Sequence, residues 1–147
     1  MDEIERNMRP IGIDLFAGAG GLSLGFEQAG FDVKAAVEID PVHCAVHDPR
    51  NSLVLDFVRI VRELDAETFV FENVKGLTVG KHKRFLEELV QAFDLAGYTC
   101  QLPWKVLNAG HYGTPQSRER LILMGAKKGR PLPHYPDAMT NIPGKKQ

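Results

Sequence analysis

Several side chains able to do chemistry stand where apolar runs of this sequence end. The run Ile11-Gly12-Ile13-Asp14-Leu15 empties into Phe16-Ala17-Gly18-Ala19-Gly20-Gly21. Glycines there permit positive φ and close approach of a ligand to the main chain, and a helix N-terminus beyond them offers unpaired N–H groups. Glu38 closes the next apolar run, at the spacing where a carboxylate accepts hydrogen bonds from both ribose hydroxyls of an adenosine-containing ligand. Glu72-Asn73 ends a third run, so Glu72 falls at the carboxyl edge of a sheet, where ligands of doubly wound folds bind. Arg118 and Arg120 alternate around Glu119 ahead of the last run, which would project both the same way.

Each of these has a plainer reading. The glycines suit any tight turn, Glu38 any surface charge, Glu72-Asn73 a strand exit, and paired arginines a solvated strand edge. Gly18 and Gly20 match the start of a dinucleotide fingerprint, but Ser23 occupies the third glycine position, which disfavours a nicotinamide-dependent oxidoreductase. No Gly-Lys-Ser/Thr follows, so this is not a phosphate loop. Lys81-His82-Lys83-Arg84 reads as a solvated face ahead of a phosphate contact. The histidines lack metal-ligand spacing, and Cys44 and Cys100 lack CxxC spacing, so no metal, zinc site or disulfide framework is expected.

The elements that position these groups alternate. Ile11–Phe16 reads as a strand, Leu22, Phe26 and Ala29 as a helix stopped by Gly30, and Val33–Val37 as a second strand, together a βαβ unit. Leu53, Val54, Phe57, Ile60, Val61 and Leu64 form a helical stripe that Asn51 or Ser52 would cap. Thr68–Phe71 follows as a strand. Phe85, Leu86, Leu89, Val90 and Phe93 line a helix ended by Gly97, and strands are expected near Tyr98–Val106 and at Leu121–Ala126. This is the pattern of an α/β fold, Rossmann-like and doubly wound, with a mostly parallel sheet covered on both faces. Between the second strand and Leu53 the rhythm breaks. Pro41–His47 begins a helical pattern, Asp48-Pro49 disfavours its continuation, and a second helix follows with no strand between.

At 147 residues with 44% hydrophobic and 25% charged residues the chain is of single-domain size, and a net charge of −1 neither advertises nor excludes nucleic acid. The acidic start Met1-Asp2-Glu3-Ile4-Glu5 is no signal peptide, and no apolar run reaches membrane-spanning length, so a cytoplasmic protein is expected.

Asp14-Leu15-Phe16-Ala17-Gly18-Ala19-Gly20-Gly21-Leu22, Phe71-Glu72-Asn73-Val74-Lys75-Gly76 and Gln116-Ser117-Arg118-Glu119-Arg120, in this order, resemble the DNA (cytosine-5)-methyltransferase family from about Ile11 to Pro136. The resemblance implies S-adenosyl-L-methionine as cofactor and DNA as partner. It places Phe16, Ala17, Gly18, Gly20, Gly21 and Leu22 around the methionine part, Glu38 on the ribose and Ile39 against the adenine. It also implies catalytic roles for Glu72, on the flipped cytosine, and for Arg118 and Arg120, by the target base and its backbone.

The family's Pro-Cys-Gln nucleophile loop is not found in the sequence. Cys100-Gln101 follows Thr99, precedes no glycine and comes after Glu72, so Cys100 is expected to pack in its strand instead. In the family the missing loop and central strands fall where the alternation fails, which makes 47–48 an expected deletion junction. The sequence therefore divides into residues 1–136, an incomplete S-adenosylmethionine-binding methyltransferase domain, and a tail at 137–147. Deleting a central strand leaves backbone groups that cost about 1–3 kcal/mol each if buried unpaired, unless the sheet closes up or a partner chain supplies the strand. The expected function is that of a DNA (cytosine-5)-methyltransferase whose chain alone is inactive, or of a non-catalytic subunit binding S-adenosylmethionine or a partner.

Overall fold

The computed structural model describes residues 9–15, 21–37, 50–78 and 81–139, and the chain divides into two compact units, Met1–Pro49 and Arg50–Gln147. In the first, strands β1 (Ile11–Leu15) and β2 (Asp32–Val37) pair in parallel, from Ile11 against Asp32 to Leu15 against Val37, with helix α1 (Gly21–Gln28) between them in sequence. The expected βαβ unit is present. Gly30, at φ 90°, ends α1 as anticipated. Its N–H bonds the Glu27 carbonyl at 3.0 Å and that of Phe31 bonds the Phe26 carbonyl at 2.9 Å, reversing the chain toward β2. On β1 the burial is inverted for so apolar a strand, with Gly12 and Asp14 buried and Ile11 and Ile13 exposed.

The second unit opens with α2 (Arg50–Glu63), which starts ahead of Asn51 and Ser52, so neither caps it from outside. Strand β3 (Thr68–Val74) leads through a 3-10 turn at Lys75–Thr78 to α3 (Lys81–Leu95), which Gly97 ends at φ 93°. Then come β4 (Tyr98–Cys100), β5 (Lys105–Asn108), a 3-10 turn at Ala109–Tyr112, and β6 (Glu119–Lys127). The single strand expected over Tyr98–Val106 is two. Cys100 pairs with Gly125 and Lys105 with Ile122, so five steps on one side oppose three on the other, and the surplus lies around the cis Leu102-Pro103 bond. A proline has no N–H to give the ladder.

The mostly parallel sheet needs correction in this unit. β3, β4 and β5 all pair antiparallel with β6, β3 on one edge and β4 and β5 on the other. β3 and β4 therefore run the same way, as the strand–helix–strand pattern requires, with the last strand inserted antiparallel between them. Periodicity reports burial, not the direction of a neighbour that arrives about fifty residues later.

Phe69 and Phe71 of β3, Leu121 and Leu123 of β6 and Tyr98 of β4 face α2 and α3, which contribute Val58, Val61, Leu86, Leu89 and Phe93 to one core. The spacing 86, 89, 93 is that of a single helical face. Phe69 and Phe93 stack at 3.8 Å, and Phe57 meets Phe93 edge-on at 6.0 Å. The buried Tyr98 hydroxyl donates to the Val61 carbonyl at 3.0 Å, so its burial leaves no polar group unpaired. Among the described residues no helix is long and apolar enough to cross a membrane.

Gly125 is where the sheet and this core meet most closely. A Cβ there would stand 2.4 Å from the Phe69 ring and 2.7 Å from the Thr99 carbonyl oxygen, so Gly125→Ala is expected to cost about 1–3 kcal/mol through overpacking. Gly76, with nothing within 4 Å of its Cβ position, is the control. Gly76→Ala should stay within about 0.5 kcal/mol of the parent in urea denaturation.

Candidate functional site

In the first unit, β1 carries Asp14 to the carboxyl end of the strand, where it is 1% exposed. Ser23, in the first turn of α1, donates its hydroxyl to Asp14 Oδ2 at 2.6 Å. Asp14 Oδ1 has no hydrogen-bond partner among the described residues. A buried acceptor left unpaired costs about 1–3 kcal/mol, more when charged, so this oxygen is suited to a cationic or N–H donor. The residue that spoils a dinucleotide fingerprint at position 23 thus orients a carboxylate. Of the eight expected cofactor residues, Gly21 and Leu22 begin α1 and are exposed. Phe16, Ala17, Gly18, Gly20, Glu38 and Ile39 lie outside the described residues, as does the 47–48 junction.

In the second unit, cross-strand register brings Glu72 and Arg120 together. Glu72 stands opposite Ile122, and Arg120 opposite Val74, so the two are diagonal neighbours on the sheet face turned away from the aromatic core. Arg120 Nε lies 2.8 Å from Glu72 Oε1, and its Nη1 donates to the Glu119 carbonyl at 2.9 Å. Lys75 Nζ pairs in turn with Glu119 Oε2. Two separate ion pairs thus stand near the carboxyl end of β3: Glu72–Arg120, with the Glu72 side chain 40% exposed, and Lys75–Glu119, whose Glu119 alternates with Arg120 along β6. The Glu72–Arg120 pair can accept from an amine and donate to a ring nitrogen or an oxyanion. Arg118, expected to project with Arg120, precedes β6 and is exposed, and the structure does not bring it to Glu72.

Asn108, absent from the sequence-based candidates, holds the connection between β5 and β6. It is 7% exposed, and its Oδ1 accepts from the N–H groups of Gly110 at 3.0 Å and Arg118 at 3.1 Å, while Nδ2 donates to Ser117 Oγ at 3.1 Å. Ala109 N–H closes the connection on the Arg118 carbonyl at 3.0 Å. The available signal was an Asn ahead of Ala-Gly at a strand exit, a residue type that binds nearby backbone. Asp14 carried a comparable signal, a lone charge in an apolar strand.

Cys100 packs as expected, on the Tyr98 face and against the core. Glu72 lies on the opposite face, because Cys100 registers with Gly125 and Glu72 with Ile122. Burial, reinforced by the Asp94 carboxylate, pushes the thiol up to about 11, so it is neither deprotonated at neutral pH nor turned toward that pair.

A family model described as C-5 cytosine-specific DNA methylase matches residues 11–47 and 42–147. The chain belongs to this family. Type II methyltransferase M.XorII of Xanthomonas oryzae pv. oryzae is 48% identical over 183 residues, covering 88% of this chain and 43% of that protein. M1.HphI of Haemophilus parahaemolyticus is 30% identical, covering 80% of this chain and 46% of its own length. The chain thus spans about half the length of these relatives. Since 88% of 147 residues is about 129, about 54 of the 183 aligned positions in the Xanthomonas protein have no counterpart here. A crystal structure described as a DNA modification methyltransferase from an E. coli prophage matches with TM-score 0.70 at 30% identity, over 82% of this chain and 47% of that one. S. pombe Dnmt2 methyltransferase matches with TM-score 0.60 at 17% identity, over 84% and 51%. The fold of this family member is therefore the methyltransferase α/β fold, with parallel and antiparallel strands.

Asn108→Ala strands two backbone donors, with an expected loss of about 1–3 kcal/mol. Asn108→Asp keeps the acceptor and should lose less, as urea midpoints would register. For Cys100, the native thiol near 11 against an ordinary value of 9.0 implies alkylation by iodoacetamide about 100-fold slower at pH 8 than in the unfolded chain, followed by mass mapping of the Cys100 peptide. The native state keeps a proton that the unfolded chain releases near pH 9. This stabilisation is whole below pH 9 and is lost as pH rises through about 11.

Proposed function

We propose that this family member is the cofactor-binding and base-pocket portion of a DNA (cytosine-5)-methyltransferase acting with S-adenosylmethionine, and that alone it transfers no methyl group. The Glu72–Arg120 pair carries the reading. One carboxylate oxygen is held by Arg120 Nε at 2.8 Å, which orients the carboxyl group toward a partner presenting an amine beside a ring nitrogen. Cytosine presents that edge, and a carboxylate is a natural acceptor for its N4 amine. A hydrogen bond or proton donated to the neighbouring ring N3 would draw electron density from the ring and assist addition at C6, while the carboxyl oxygen holding the N4 amine fixes the base in place. Arg120 keeps the carboxyl group aimed, and Arg118 is free to meet the phosphate backbone.

Asp14 supports the cofactor assignment. Its buried Oδ1, without a hydrogen-bond partner among the described residues, fits a cationic ligand, and S-adenosylmethionine carries an ammonium group. Gly21 and Leu22 would border its methionine part with Phe16, Ala17, Gly18 and Gly20, while Glu38 would take the ribose and Ile39 the adenine. When bound, the cofactor supplies an electrophilic methyl group. The nucleophile that must activate cytosine is what this chain lacks, since Cys100 is half-buried, protonated and on the wrong face.

Calorimetric titration with S-adenosylhomocysteine tests the cofactor half. Binding weakened at least tenfold by Asp14→Asn is expected, with none to NAD, and a folded chain that binds neither compound defeats it. Incubation with tritiated S-adenosylmethionine and cytosine-containing DNA tests the other half. No label should transfer, and turnover by the chain alone would refute that half.

A further inference from the structure

The two edges of the second unit's sheet are built differently. The β4–β5 edge is broken around Pro103 and carries Lys105, devices that keep an edge from accepting another strand. The β3 edge has none of them. Thr68-Phe69-Val70-Phe71-Glu72-Asn73-Val74 pairs with β6 in one unbroken register, without proline, bulge or basic residue. Its run Thr-Phe-Val-Phe is the composition of a strand flanked on both sides, yet among the described residues it has a neighbour only in β6.

The hydrogen bonds show what that edge offers. Lys127 N–H donates to the Glu67 carbonyl at 3.0 Å, so odd-numbered residues bond β6, and Thr68, Val70 and Glu72 turn their N–H and C=O groups outward. Val74 N–H is taken by the Asn73 side chain at 2.8 Å, which terminates the open stretch. Above the edge, Val74 is 53% exposed. β1 is similarly uncovered, with Ile11 66% and Ile13 37% exposed and β2 on one side only among the described residues.

Two further observations fall at one place in the chain, where the amino-acid pattern over 41–49 also predicts no strand. The family match breaks into stretches that meet at 42–47, and the compact units divide at Pro49 and Arg50. About 54 positions of the Xanthomonas relative have no counterpart here, enough for a strand with its flanking helix or loop.

We propose that the open edge of β3 accepts an extended apolar strand from a second, different polypeptide, the counterpart of those unmatched positions. Backbone hydrogen bonds to Thr68, Val70 and Glu72 would carry the affinity, as in strand addition to other exposed edges. This inference rests on strand pairing and not on the cofactor assignment.

The test mixes the full chain with the unmatched stretch of the Xanthomonas relative, produced as a separate polypeptide, and reads calorimetry and amide exchange. Expected are saturable binding, at least tenfold slower exchange at Val70 and Glu72, and at least a tenfold loss of affinity in Val70→Pro. That substitution removes an outward N–H while leaving the β6 ladder intact, as edge prolines do. Thr68→Pro, at the start of the strand, provides a second variant should Val70→Pro unfold. No binding, binding indifferent to both variants, or a concentration-dependent homodimer abolished by either variant would overturn the proposal, the last assigning the edge to a second copy. Binding of S-adenosylhomocysteine without binding of the polypeptide removes this inference alone, and the converse removes the cofactor reading alone.

Discussion

Every other strand of the second unit hydrogen-bonds to β6, and β6 can lie where it does because residue 125 has no side chain. The Phe69 ring occupies the volume a Cβ would need, and the same ring stacks on Phe93 of α3. One contact thereby sets the spacing of β3 against β6 and the seating of α3 on both. From that seating follow the burial of Leu86 and Leu89 and the reach of the Tyr98 hydroxyl to the Val61 carbonyl. Close packing at a single glycine constrains the register more sharply than apolar composition does, because a slip of one residue would put a side chain into the ring.

That register is also what assembles the charged pair. Glu72 and Arg120 are far apart in sequence and meet only because β6 runs antiparallel with Val74 opposite Arg120. As a half-exposed ion pair it contributes little to stability, on the order of 0–1 kcal/mol, so its effect is to orient a carboxylate. At the other end of the sheet, Lys127 pairs with Asp65, Lys128 with Asp94 and Arg130 with Glu67. Those pairs tie β6 and the segment after it to the turns around β3 and α3. The two ends thus carry similar charges with different surroundings. Only the end at Glu72 lies at the carboxyl terminus of β3 and is joined to the connection that Asn108 organises.

Local features of this architecture were legible in the sequence. Gly30 and Gly97 end their helices with positive φ, the βαβ unit stands where apolar periodicity put it, and the stripe through Leu86, Leu89 and Phe93 is buried. The three linked motifs also carry the family resemblance in the sequence itself. What periodicity could not deliver was pairing between distant strands: the antiparallel insertion of β6 and the interruption of Tyr98–Val106 near Pro103. Asn108 escaped because its importance lies in three hydrogen bonds across a ten-residue connection, which no spacing rule encodes. Asp14 was visible as part of a motif, but the burial of its Oδ1 without a partner among the described residues appears only in three dimensions.

Cys100 is suited to packing rather than to attack on a base for a physical reason. Burial makes Cys100 a good core residue and a poor nucleophile: desolvation holds its proton, and strand alternation turns it to the face away from Glu72. The surplus of unused bonding capacity lies instead along β3, and Glu72 belongs to it twice. Its side chain is held by Arg120, while its own N–H and C=O face the open edge. A strand pairing there would run beside the residue that orients the carboxylate, and the loop at its end would come within reach of whatever that carboxylate holds. Backbone bonding and side-chain orientation thus meet at one residue, and a strand added at that edge would lie beside the Glu72–Arg120 pair.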